Sequence, residues 1–173
     1  MTVTVEPVSA PDQLAAFEAL VREYLASLPF SLEFQGVDNE LDDLGAAYGP
    51  PGGRALLGCL DGSPVGAVAI RRLSAAIAEL KRMYVRPEAR GHGVGRALAA
   101  AALQAAAELG YHAVRLDTTA DMVGAIRVYE ELGFEPIEPY RHNPLAGARF
   151  FEARLHPTTG AGQRPDPMET EDQ

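Results

Sequence analysis

The sequence holds one cysteine, Cys59, in 173 residues, which excludes an internal disulfide and a thiolate metal cluster and suits a reducing compartment. Cys59 lies in an apolar run without a neighbouring histidine or cation to activate it, and reads as a small core residue. Basic residues are scarce as well. Fifteen Lys and Arg stand against twenty-four Asp and Glu, a formal charge of −9, and the cations are scattered, which argues against a nucleic-acid partner. An acidic chain is compatible with a cationic amine partner, although most acidic surfaces only maintain solubility. The four histidines, at 92, 112, 142 and 156, have no ligand spacing, so no metal is expected. No apolar run is long enough to cross a bilayer, and the opening Met-Thr-Val-Thr-Val-Glu lacks the regions of a signal peptide. The expectation is a cytoplasmic protein with no membrane partner, a monomer or homodimer.

What is present is a chain that is 47% hydrophobic, enough for one core. Val3 to Val8 alternates like a strand, and Ser9, Pro11 and Asp12 read as a helix cap, a first-turn proline and a first-turn charge. Leu14, Phe17, Val21, Tyr24 and Leu28 keep helical spacing, which predicts a stripe packed on a sheet and ended by Pro29. A second short helix is expected near Asn39 to Tyr48. Arg54 to Leu60, Pro64 to Arg72 and Ala76 to Val85 read as three antiparallel strands joined by short connections. A glycine loop opens an alanine-rich helix that ends at Gly110, and His112 to Asp117 should return as a strand parallel to the preceding one. A helix closing at Gly133 and two strands, Phe134 to Ile137 and Arg149 to Leu155, complete the pattern. The expected fold class is α/β: a single-domain mixed sheet with antiparallel N-terminal strands and one parallel pair around the glycine loop, flanked by about four helices. Residues 1–156 form that domain, and 157–173, nearly devoid of apolar mass, read as a disordered tail.

The glycine loop carries the chemistry. Gly91, Gly93 and Gly95 let N–H groups converge ahead of a helix starting near Val94, whose dipole favours an anion such as a phosphate or pyrophosphate. A P-loop would need Gly-Lys-Ser/Thr, and no lysine follows these glycines. The dinucleotide fingerprint fails at its third glycine, where Arg96 stands, although Asp117 sits where a ribose-binding acid belongs.

Arg90-Gly91-His92-Gly93-Val94-Gly95 resembles the Arg/Gln-x-x-Gly-x-Gly/Ala loop with which N-acetyltransferases of the GNAT superfamily hold the pyrophosphate of acetyl-CoA. Ala125 to Phe134, a helix with Tyr129 closing on Gly133-Phe134, is similar to the second GNAT signature, and the order of the two motifs matches. Glu79 to Val85, Leu116-Asp117-Thr118, Pro139-Tyr140 and Asn143-Pro144 are similar to a bacterial branch whose substrates are mostly unassigned.

The resemblance implies transfer of an acetyl group from acetyl-CoA, as co-substrate, to a primary amine of a small molecule or peptide, directly within a ternary complex. It places a general base at Glu79, eleven residues before Arg90, and a general acid at Tyr129. Each has a plainer reading: Glu79 pairing with Lys81 or Arg82, Tyr129 packing on the sheet. The main chain of Met83, Tyr84 and Val85 should polarise the carbonyl and bind pantetheine where two strands splay, and Arg90, His92 and Arg96 flank the phosphates. Arg90 and Arg96 read equally as solvated cations. Met122 stands where the superfamily often has an asparagine, with Thr118 or Thr119 as substitute polar contacts near Ala125. Tyr24, Phe30 and Phe34 on one side and Tyr140, Arg141, His142 and Asn143 on the other are candidate acceptor walls, Arg141 suiting a carboxylate and Glu33 or Asp38 an amine. The rivals are a catalytically silent acyl-CoA-binding or sensing module and, last, a nicotinamide-dependent oxidoreductase.

Overall fold

The computed structural model describes residues 1–156, so the tail expected over 157–173 lies outside the described residues. Seven strands form one sheet in the order β1-β2-β3-β4-β5-β7-β6: β1 (Val3–Pro7), β2 (Arg54–Leu60), β3 (Ser63–Arg72), β4 (Ile77–Val85), β5 (Ala113–Thr119), β6 (Glu135–Ile137) and β7 (Ala148–Arg154). Every pairing is antiparallel except β4 with β5, so the sheet is mixed as expected. The last strand inserts between β5 and β6.

Five α-helices flank the sheet among the described residues: α1 (Pro11–Ser27), α2 (Val37–Asp42), α3 (Leu44–Tyr48), α4 (Val94–Glu108) and α5 (Val123–Glu131). The single helix expected near Asn39 to Tyr48 is two, because Asp43 leaves helical geometry at φ −151° and caps α3, its carboxylate accepting from the Ala46 N–H at 2.9 Å. The start of α1 is also held differently. Ala10 is the N-cap, and the Gln13 side chain accepts the Ser9 and Ala10 N–H groups at 2.9 Å each. Phe17 and Val21 of the predicted stripe are buried with Leu20, whereas Leu14 is 38% exposed.

Two apolar layers sandwich the sheet. One face packs under α4 and α5, with Leu98, Ala102 and Ala106 against Val68, Val114, Leu116 and Phe151. The opposite face packs under α1 and α3, with Phe17, Leu20 and Tyr48 against Leu57, Ala67 and Ala69; buried Cys59 belongs to this layer. Two glycines set how closely α4 approaches. A Cβ on Gly58 would lie 2.8 Å from Val94 Cγ1, and one on Gly66 2.9 Å from Leu98 Cδ1, so only hydrogen fits. The first turn of α4 is thereby pressed onto β2 and β3, which holds the glycine loop at the C-terminal end of β4.

β4 itself is irregular. Its register with β3 shifts between Ala67 and Ala69, and Arg82, at φ +58°, forms the bulge. Pairing with β5 is confined to Ile77–Glu79 against Ala113–Arg115, after which the two strands part while β5 stays paired with β7.

Candidate active site

The loop expected to hold the phosphates has the required backbone. Gly91 and Gly93 adopt φ of +81° and +85°, a region open to glycine at little cost, and a Cβ at either would meet nothing within 4 Å. Among the described residues, nothing accepts the N–H groups of Gly91, His92 or Gly93, and the first amides of α4 lie next to them with no intrahelical partner. An anion fits this end of α4. The flanking side chains differ in availability. Arg90 donates from Nε to the Val85 carbonyl at 3.0 Å, bracing the loop on the end of β4. Arg96 is paired with Glu131 of α5 at 2.7 Å. Val94 is 1% exposed in the core, so only its main chain is available to a ligand.

Where β4 and β5 part, a pocket opens. It is lined by Lys81, Arg82 and Met83 of β4, by Asp117 and Thr118 of β5, by Met122, Ala125 and Tyr129 around α5, and by Tyr24 and Gln35 from the opposite layer. The expected splay is present, and Tyr129, Thr118 and Ala125 border it. Burial raises the pKa of the Tyr129 hydroxyl well above the ordinary tyrosine value, so it retains its proton throughout the neutral range. Tyr84, in contrast, turns its side chain into the α1 layer and packs against Tyr24, with ring centroids 5.8 Å apart and the rings tilted by 43°.

Alternation along β4 puts Glu79 and Lys81 on the face opposite α4, where charge is concentrated. Glu79 has no exposed side-chain surface. Its Oε1 accepts from Arg71 at 3.0 and 3.1 Å and lies 3.9 Å from Lys81 Nζ, while Oε2 accepts from Tyr140 at 2.8 Å and from Arg141. Burial pushes this carboxyl up, but the Lys81 and Arg141 charges and the Tyr140 hydrogen bond outweigh it, and the net pKa is below the usual value. A carboxylate so held is a poor proton acceptor. Lys81 donates to Gln35 Oε1 at 2.8 Å, and burial pulls its ammonium down to about 8 against the opposing Glu79 charge. Next to it, Arg82 forms a bidentate pair with Glu40 of α2, its Nε at 2.8 Å from Oε1, and Tyr48 donates to the same carboxylate. Asp117, on the pocket wall, accepts from Asn143 Nδ2 at 3.0 Å.

The structure thus draws together Tyr129, Thr118, Ala125 and the Met83 main chain, sets the glycine loop at the end of β4, and seats Glu79 within a cation cluster. Of the residues read as candidate acceptor walls, Tyr24 lines the pocket, Arg141 bonds Glu79 and Asn143 bonds Asp117, while Phe34 stays 36% exposed. The sequence reading did not single out Lys81 as a pocket residue, nor Gln35, Arg71 or the Glu40–Arg82 pair. The two-residue period of β4 signals Lys81. Gln35 and Glu40 come from an irregular stretch with no signal of its own.

The model of the Acetyltransferase (GNAT) family matches residues 17–134, which contain the glycine loop, the β4–β5 split and Tyr129. The chain belongs to the GNAT acetyltransferase family. The chain is 39% identical over 155 residues to an uncharacterised N-acetyltransferase of Schizosaccharomyces pombe, an alignment covering 88% of this chain and 95% of that protein. It is 38% identical over 115 residues to human N-acetylaspartate synthetase, covering 62% of this chain and 38% of the human protein. Its fold is shared by a GNAT family acetyltransferase of Elizabethkingia anophelis crystallised with acetyl-CoA bound, with a TM-score of 0.61, 16% identity, and coverage of 88% of this chain and 98% of that one. This acetyltransferase is therefore an acetyl-CoA-dependent acyltransferase. No helix of its described residues is long and apolar enough to cross a membrane.

Proposed function

We propose that this acetyltransferase moves an acetyl group from acetyl-CoA to the primary amine of a small molecule or peptide, directly and within one ternary complex. The observation that carries the reading is the parting of β4 from β5, with a proton-bearing Tyr129 on one wall and unpartnered loop amides beyond the end of β4. Acetyl-CoA supplies an acyl group activated as a thioester. The N–H groups from Gly91 to Arg96 and the Arg90 guanidinium bind its diphosphate. The main chain of Met83 to Val85, left unpaired by β5, binds the pantetheine arm and orients the thioester carbonyl, with Thr118 and Ala125 on the opposite wall. Tyr129 holds a proton for the departing sulfur.

Glu79 takes a positioning role in this proposal, in place of the base expected from the sequence, because its oxygens are already occupied by donors from Arg71, Arg141 and Tyr140. An amine with an α-amino pKa near 8 has a useful neutral fraction at physiological pH without a strong base. N-acetylaspartate synthetase, the human relative, is named for a product with an acylated amino group, which agrees with an amine acceptor. The buried thiol of Cys59 suits the cytoplasm.

Calorimetric titration with acetyl-CoA, beside NAD, tests the reading. Saturable acetyl-CoA binding that is lost in Gly93→Leu, where a side chain must take φ +85°, is the expected result, and preference for NAD refutes it. Tyr129→Phe should then keep acetyl-CoA affinity while lowering turnover by about 10²-fold or more. Undiminished turnover removes the acid role.

A further inference from the structure

We propose that the acceptor amine carries a carboxylate, and that Arg71, Lys81 and Arg141, clustered on Glu79, receive that carboxylate while Asp117 faces its amino group. The inference rests on the acetyltransferase reading and narrows its substrate class.

Charge balance is the first argument. Arg71, Lys81 and Arg141 converge on Glu79, and Asp117 also faces Lys81, so three positive charges against two negative leave a surplus of one. The other cations of this face are spent: Arg82 is neutralised by Glu40 and Arg115 by Glu152. Such a surplus is unexpected in a chain of net charge −9, and an anion of the substrate would balance it. Unmet hydrogen bonding is the second. Arg141 Nε is shielded from solvent and has no acceptor among the described residues, although the same guanidinium is bonded to Glu79. The guanidinium is thus not saturated by the protein, and its exposed part is open to a further carboxylate.

Reach is the third. Arg71 and Arg141 side chains are 30% and 21% exposed, so a ligand can touch them, whereas Glu79 behind them is not exposed at all. Lys81 joins the cluster to the pocket, since it lies 3.9 Å from Glu79 and also lines the wall shared with Asp117 and Tyr129. Within that pocket, Asp117 is the acidic group available to an ammonium or amine, fixed in place by Asn143. The arrangement has one end for an anion and another for an amine, with Tyr129 beside the second. Diamines lack the first group and amino acid amides neutralise it.

The test uses the intact protein with saturating acetyl-CoA and follows release of the coenzyme A thiol. L-aspartate, L-glutamate and L-alanine are each compared with the fully amidated counterpart, in which no carboxylate remains, putrescine serves as a carboxylate-free amine, and Asp-Ala amide distinguishes a peptide source of the carboxylate from a free amino acid. The expected result is a kcat/KM at least tenfold higher for an acid than for its amide. Arg141→Gln should raise KM for the acid tenfold or more and narrow that gap, with the calorimetric Kd for acetyl-CoA unchanged. Preference for Asp-Ala amide over aspartate also supports the carboxylate and assigns it to a peptide. Equal or better turnover of amides or putrescine overturns the inference and leaves the acetyltransferase reading intact. Acetyl-CoA binding without turnover of any acid overturns it too. Failure to bind acetyl-CoA refutes the underlying reading itself.

Discussion

Lys81→Met should make the protein more stable and less able to use a carboxylate-bearing acceptor. Lys81 is 3% exposed at its side chain, and its pKa falls from 10.5 to about 8, mainly because burial disfavours the ammonium. At roughly 1.4 kcal/mol per tenfold change, holding Lys81 charged at pH 7 costs about 3 kcal/mol relative to the unfolded chain. Methionine keeps the apolar stem and removes the charge. Gln35 Oε1 retains its bond from Arg82 at 2.9 Å, and Glu79 retains Arg71, Arg141 and Tyr140, so the offsetting loss is about 1 kcal/mol, the worth of one ordinary hydrogen bond. The net gain is about 2 kcal/mol, and with a urea m-value of about 2 kcal/mol/M the midpoint rises by about 1 M at pH 7. The pH dependence has a definite sign. Below pH 8 both folded and unfolded lysine are protonated and the penalty is complete; between about 8 and 10.5 the folded form loses its proton first, so the wild type gains stability as pH rises. Glu79, Arg82, Asp117 and Arg71 are the charged groups that face Lys81. The two urea midpoints should therefore draw together as pH rises and cross by about pH 10.5, where only the variant's loss of about 1 kcal/mol remains. A lower midpoint for Lys81→Met at pH 7, or a gap that does not change with pH, refutes the reasoning and makes the Glu79 attraction dominant over burial.

Glu40→Ala strands the Arg82 guanidinium, 2% exposed at its side chain, and should destabilise the fold by about 3–5 kcal/mol in urea unfolding. Gly58→Val drives a side chain into Val94 and Leu98 and should cost about 1–3 kcal/mol, with weaker acetyl-CoA binding in calorimetry because the start of α4 is displaced. Glu40 and Glu79 both have lowered folded pKa values, from 4.5, so the stability they contribute is complete above that value and is lost as pH falls through the folded values. Thermal melting should consequently drop steeply below about pH 4.5, and less so in Glu40→Gln.

Much of the architecture was legible because it depends on local pattern. Alternation identified β2, β3 and β4, and glycine at 110 and 133 stopped α4 and α5, as two-residue and 3.6-residue periods require. The glycine loop was legible because the left-handed backbone of Gly91 and Gly93 favours glycine at those positions. The environment of Glu79 was not, because its partners come from positions 71, 140 and 141, brought together by the sheet register and the loop before β7. A carboxylate motif looks the same in sequence whether water or arginine surrounds it, and that surrounding decides whether it takes up a proton. Insertion of β7 between β5 and β6 was equally silent, since strand order leaves no mark on periodicity.

Arg82 explains why the two halves of the site are inseparable. Its left-handed conformation, costing about 1–2 kcal/mol for a residue with a Cβ, forms the bulge in β4 just before the main chain of Met83 that the β4–β5 split exposes. The strain persists because the side chain of the same residue is pinned by Glu40 and bonds Gln35, both from the stretch between α1 and α3. Loosening α2 therefore releases Arg82, and releasing Arg82 allows β4 to straighten and the split to narrow. Helix α2 and the bulged backbone of β4 beside the split are thus coupled through one buried ion pair. On this argument Glu40→Ala weakens acetyl-CoA binding as well as stability, although α2 lies on the opposite side of the sheet from the glycine loop's helix.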